Sequence, residues 1–216
     1  MSEPDTRPAW VSERLREEFP RLGLWSLNVS VEERIGRSPR GVREHLAKLA
    51  DRFYGADALV LRQRPVPHAY RVFYRHIGLD PDVTRVPAEA AAVERLMRGG
   101  LPSRGLLDDA LTIAVMETGV PVRALDAAAV EGALGLRLTG QRESLGTGEE
   151  ATPLPPGRIV VADERAPLAL LFGEQAPRAA VVRETRRVLL YAVTVEGVPS
   201  IHVEEALWMA AETLRS

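Results

Sequence analysis

Gly105 to Glu131 reads GLLDDALTIAVMETGVPVRALDAAAVE, and the rest of the chain is organised around it. From Ala110 to Met116 only Thr112 is polar, so the segment is apolar nearly all round. A helix of that kind is enclosed on most sides instead of lying amphipathic on a surface. Gly119 supplies the C-cap, where a residue without Cβ takes positive φ, and Pro121 prevents the helix from resuming. Val120 to Leu125 reads as a short extended piece, and Asp126 as the N-cap of a turn over Ala127 to Val130. With the helix enclosed, truncating Leu111 to alanine is expected to cost ~2–5 kcal/mol.

Working outward, Pro8 to Glu18 reads as an amphipathic helix offering Trp10 and Leu15 to a core, with Phe19 just beyond it, and Pro20 stops it. Leu22 to Val31 alternates loosely and reads as a strand. Ser38 is expected to cap a helix that has Pro39 at its first position and ends near Tyr54, closed by Gly55. Pro65 and Pro67 precede a helix from about His68 to His76, and Pro87 to Arg98 forms another, ended by Gly99-Gly100. Beyond Gly132, strands are expected over Leu134–Thr139, Arg158–Asp163, Ala166–Phe172 and Arg187–Val195. Gly140 to Gly157 reads as an exposed excursion, and Val203 to Leu214 as a closing amphipathic helix. Helices first and mostly strands later make an α+β fold with a mostly antiparallel sheet. Residues 1–62 are expected to pack on a main domain of residues 63–216 as one compact unit.

The 216 residues carry 45% hydrophobic and 27% charged residues, those of an ordinary globular protein. No run of 18 apolar residues occurs, so no membrane helix is expected, and Met1 to Trp10 lacks a signal-peptide pattern. The absence of cysteine excludes disulfides, thiolate nucleophiles and cysteine-bound metals. A cytoplasmic location is the expectation. The net charge of −2 is uneven: Arg34 to Arg104 holds 14 basic and 7 acidic residues, hence +7 there and −9 elsewhere. Arg71, Arg75, Arg95 and Arg98, on two neighbouring helices, are the candidate nucleic-acid contacts. The competing reading is a solvated charged face, because Lys48 is the only lysine and the arginine usage has the look of coding bias.

The string DALTIAVMETGVPVRALDAAAVEGALGLRL, Asp109 to Leu138, resembles the tRNA-editing (B3/B4, tRNA-binding) domain of the phenylalanyl-tRNA synthetase β subunit. Asp109, Gly119, Pro121, Ala124, Asp126 and Gly132 fall in register with that family's pattern. IVVADE at Ile159–Glu164 and LALLFGE at Leu168–Glu174 resemble two of its strands. YRVFYRHIGLDPDVTRVPAEA, from Tyr70 to Ala90, resembles its free-standing members. The resemblance covers roughly Arg64 to Val195. It implies a pocket built from residues 122–126, residues 168–174 and the end of the buried helix. Asp109, Thr112, Asp126, Phe172 and Gly173 would touch the substrate there. Glu174 would read an amino-acid side chain. Arg123 stands where the family has histidine, Thr112 where it often has asparagine, and Phe172 within its glycine pair.

Arginine is a permanent cation and cannot act as a general base, but its fork can hold a phosphate or a carbonyl oxygen. A salt bridge is the bland alternative for Arg123. Asp108 and Asp109 in turn suit helix-start stabilisation as well as chemistry. The four histidines lack metal spacing, so neither metal nor cofactor is implied. Gly135 to Gly140 lacks the lysine and hydroxyl of a phosphate loop, and no G-x-S-x-G elbow occurs. Two functions follow from the resemblance. One is hydrolysis in trans of a mischarged aminoacyl-tRNA ester, with Arg123 and Glu174 as the catalytic pair. The other is a non-catalytic module binding tRNA or a small ligand. Aminoacyl-tRNA is the expected partner, with no DNA and no membrane; whether the chain is an enzyme, and its oligomeric state, stay open.

Overall fold

The computed structural model describes residues 5–53, 60–148 and 151–216. The expected helix end at Tyr54 and Gly55 lies outside them. The strands are β1 (Arg7–Val11), β2 (Gly23–Ser30), β3 (Arg123–Asp126), β4 (Gly135–Leu138), β5 (Ser144–Leu145), β6 (Thr152–Pro153), β7 (Ile159–Ala162), β8 (Pro167–Leu170) and β9 (Arg187–Thr194). The helices are α1 (Glu13–Glu18), α2 (Arg40–Arg52), α3 (Pro65–His76), α4 (Pro87–Arg98), α5 (Leu106–Thr118) and α6 (Ser200–Arg215). Seven strands join in the order β3-β9-β2-β1-β4-β7-β8. Every pairing is antiparallel except β1 with β4. With helices on this curled sheet the fold is α+β. No described helix is long and apolar enough to cross a membrane.

The first strand corrects the sequence reading. Arg7–Val11 is β1, and the helix begins only at Glu13. Arg7, Pro8 and Ala9 pair with β2, and then Trp10 and Val11 pair with β4, so β1 joins the two halves of the sheet. Pro8 lies before the β4 pairing starts, where its missing N–H removes no bond to that strand. The Trp10 ring lies so close over Gly135 that a Cβ there would come within 2.1 Å of it. The Trp10 indole N–H donates to the Ala133 carbonyl at 3.1 Å. Tertiary pairing has overridden a helix-like spacing.

The central helix forms where expected, but one stripe of it is not enclosed. Gly119 closes α5 at φ 79°, and its N–H donates to the Val115 carbonyl at 2.8 Å. A Cβ at Gly119 would meet Pro67 Cδ at 2.9 Å, so α3 also packs closely there. α5 packs against α2, α4 and α6, and α6 in turn lies on β2 and β9. Ile113, Ala114 and Met116 are enclosed, but Leu107, Leu111 and Thr112 are only half-buried. Positions 107, 108, 111 and 112 form the stripe that α5 turns outward. Leu111→Ala is therefore expected to cost about 1–2 kcal/mol, below the usual range for an enclosed leucine. A loss above about 3 kcal/mol in urea unfolding would contradict that placement.

Other boundaries shift for local reasons. α3 begins at Pro65, so both prolines lie within its first turn, where absent N–H groups cost nothing. Ser38 does not cap α2; Pro39 holds the N-cap position, without a side-chain bond. The 140–157 excursion is only partly exposed. β5 pairs with β6, Leu145 and Leu154 are buried, and Arg137 holds Glu143 by two hydrogen bonds of 2.8 and 2.7 Å.

Candidate functional site

β3 pairs with β9 so that Arg123 lies directly opposite Tyr191. Opposed residues of an antiparallel pair share one face, so both side chains leave the sheet together. The Arg123 guanidinium crosses to the 171–174 turn and donates from Nη1 to the Gly173 carbonyl at 2.6 Å. Phe172 forms that turn at φ 60°, a left-handed conformation uncommon for a bulky residue and costing about 1–2 kcal/mol. Its ring lies 4.7, 6.1 and 6.2 Å from those of Tyr74, Tyr70 and Phe73, which hold it against α3. The Gly173 N–H donates to the Leu170 carbonyl at 3.0 Å, and the Leu170 N–H to the Glu174 carbonyl at 2.8 Å. The Glu174 side chain is exposed and makes no bond among the described residues.

The polar groups near Arg123 are unequal. Tyr70 is buried and donates to the Val193 carbonyl at 2.7 Å. The Tyr191 hydroxyl is buried and has no hydrogen-bond partner. Burial pushes the Tyr74 and Tyr191 phenols above their ordinary range, and the Arg123 charge beside them offsets part of that rise. Neither phenol can serve as a base near neutrality, but both remain O–H donors. The Arg123 guanidinium keeps N–H groups to spare, which suit a carbonyl oxygen or a carboxylate, and the enclosed Tyr191 hydroxyl is a second donor on the same face. Glu174 supplies the carboxylate at the rim. In the sequence Tyr191 lies within RVLLYAVT, which reads as an apolar strand; its lack of a partner is visible only in the fold.

The remaining expected site residues are placed as follows. Asp109 is buried and accepts from Ser38 and Ser103, both at 2.5 Å, and from the Arg104 N–H at 2.8 Å. It ties two loops to the start of α5. Asp126 accepts from the Ala128 N–H at 2.9 Å, as its capping position requires, and from Thr185 at 2.8 Å. Thr112 sits half-buried on the outward stripe of α5. Arg123, Phe172, Gly173 and Glu174 are brought together, while the bonds of Asp109 and Asp126 hold loops.

Of the four arginines expected to meet nucleic acid, Arg71 is enclosed, while Arg75 and Arg98 keep exposed side chains. Arg71 is buried, 2.7 Å from Glu89 and 2.6 Å from Asp82. It has no face to offer a phosphate. Arg95 donates to the Ala50 carbonyl at 2.7 Å, Arg98 pairs with Glu94 at 3.1 Å, and Arg75 lies 3.8 Å from Asp82. Counting charges along the chain could not show Asp82 and Glu89 folding back onto Arg71. No group of acids and histidines able to hold a metal occurs among the described residues.

A family model described as the B3/4 domain matches residues 69–206. The phenylalanine–tRNA ligase beta subunit of Legionella pneumophila (strain Lens) is 30% identical over 112 residues, 49% of this chain and 14% of that one. That of Streptomyces avermitilis is 35% identical over 95 residues, 43% of this chain and 11% of that one. The chain thus matches only a small part of the length of these relatives.

Proposed function

The chain belongs to the B3/4 domain family, and on that footing we propose that it binds aminoacyl-tRNA and hydrolyses the ester of a mischarged one in trans. The carrying observation is the Arg123–Gly173 bond at 2.6 Å, which unites two segments 50 positions apart and leaves Glu174 unbound beside it. In this reading the spare N–H groups of Arg123, with the Tyr191 hydroxyl, receive the ester carbonyl oxygen. They stabilise the negative charge that develops as water adds to the carbonyl carbon. The bond to the ribose oxygen then breaks, and a proton passes to that oxygen. Arg123 is no base, so its role is electrostatic; Glu174 reads the amino-acid side chain. Such editing is useful because a binding pocket alone separates similar side chains poorly.

The second reading, a non-catalytic module for tRNA or a small ligand, is favoured by Phe172, whose ring is packed on three others beside the turn. A panel of mischarged tRNAs decides between them. Deacylation above the uncatalysed rate supports the hydrolase, while binding without any release supports the module. Within the hydrolase reading, Glu174→Ala is expected to reduce the preference between tyrosyl and phenylalanyl esters about tenfold. An unchanged preference would remove Glu174 from side-chain recognition.

A further inference from the structure

A separate cavity of about 320 Å³ lies between α1, the end of α3 and the start of β7. Arg14, His76 and Arg158 line it with Glu18, over an apolar floor that includes Ile159 and Leu171. Arg14 and Glu18 come from α1, His76 ends α3, and Arg158 precedes β7. None of the three basic side chains makes a hydrogen bond or ion pair among the described residues. They differ in this from Arg71, Arg95 and Arg98. Arginines left unpaired around a concave site suit an anion with several oxygens, above all a phosphate, which a guanidinium grips bidentately. Phe19 also lines the cavity and offers an aromatic ring against which a base can stack. One wall, Leu170 and Leu171, runs directly into the turn that carries Phe172, Gly173 and Glu174.

We propose that the cavity ringed by Arg14, His76 and Arg158 is a phosphate-binding site that holds a nucleotide of single-stranded RNA next to the Phe172–Glu174 turn. It rests on the proposed function only for the identity of the RNA. Among the described residues Glu18 is the one acid lining the cavity, so it opposes the ligand. α1 lies outside the matched residues 69–206, so the family pattern gives no sign of Arg14.

The test is fluorescence anisotropy with a labelled single-stranded RNA of about 12 nucleotides, across a salt series. The double variant Arg14→Ala/Arg158→Ala is expected to weaken binding about tenfold at low salt. It should also flatten the log–log salt slope by about 1.4, at roughly 0.7 for each phosphate contact on a single strand. Glu18→Gln should tighten binding, a change of opposite sign that no loss of folding would produce. Arg40→Ala, an exposed arginine of α2 away from the cavity, should change affinity less than twofold. Equal binding by the wild type and the Arg14/Arg158 variant overturns the site. Inorganic phosphate or adenosine monophosphate binding as tightly as the RNA overturns the RNA assignment in favour of a free phosphate compound. RNA binding that depends on Arg14 and Arg158, without deacylation of any tRNA, sinks the hydrolase and leaves this site standing. Deacylation that the double variant leaves at full efficiency does the reverse.

Discussion

Asp163→Ala is expected to destabilise the protein by about 3–5 kcal/mol, since it strips the acceptor from four donors at once. Its enclosed carboxylate accepts the N–H groups of Glu131, Arg165 and Ala166 at 3.0, 2.9 and 2.8 Å, with Arg178 at 3.4 Å. Arg178 also donates to the Ala129 carbonyl at 2.6 Å, so the knot secures the turn that follows β3 and hence Arg123. Asp163→Asn should recover less than half of the loss. Its Oδ1 can still accept from Arg165 and Ala166, but its NH₂ would face the Glu131 N–H. Burial alone would raise this carboxyl; the three backbone donors, helped by Arg178, outweigh it and hold the group below its ordinary value. A depressed folded value means the stabilisation is complete above the unfolded value of about 3.9 and is lost as the pH falls through the folded one. Urea unfolding across pH should therefore show a shallower acid loss for Asp163→Asn than for the wild type. Equal slopes, or an alanine cost below about 1 kcal/mol, would show that the knot carries little.

The elements legible in the sequence were those that local chemistry decides. α5 has its apolar run and its Gly119 stop, and Asp126 caps a turn by a bond two residues away. What escaped was set by residues far apart in the chain. Trp10 looked like a helix residue because the partners of β1, Leu24 to Ser26 for Arg7 to Ala9 and Gly135 to Leu136 for Trp10 and Val11, lie elsewhere in the sequence. Ser38 looked like a cap because Asp109, 71 positions on, takes its hydroxyl. Arg71 looked free because Asp82 and Glu89 pair with it only after the chain turns. The resemblance to the synthetase domain brought Arg123 and Glu174 to one turn, but the bond runs to the Gly173 carbonyl and leaves the carboxylate unbound. Tyr191 carried no signal, because a buried hydroxyl without a partner is a property of packing.

Arg123→Ala is expected to slow deacylation by about 10²–10³-fold for every amino acid alike, the loss that follows removal of one donor to a developing oxyanion. The common carbonyl is what Arg123 would hold, so selectivity should not move with it. Arg123→Lys keeps the charge but lacks the fork, and a single ammonium cannot bond Gly173 and the substrate in the same geometry; it should recover little. Thermal melting separates this from a loosened turn, because the lysine variant retains a donor for the Gly173 carbonyl. Tyr191→Phe gives the complementary result. Its hydroxyl is buried without a partner, so deleting it should leave stability unchanged or slightly raised. If that hydroxyl meets the ester carbonyl, kcat should nonetheless fall about tenfold with KM little altered, since the bond strengthens only as charge develops. A loss of stability in Tyr191→Phe would point to a structural partner and remove Tyr191 from the site. Unaltered turnover in both Arg123→Ala and Tyr191→Phe would take the carbonyl pocket away from β3 and β9 altogether.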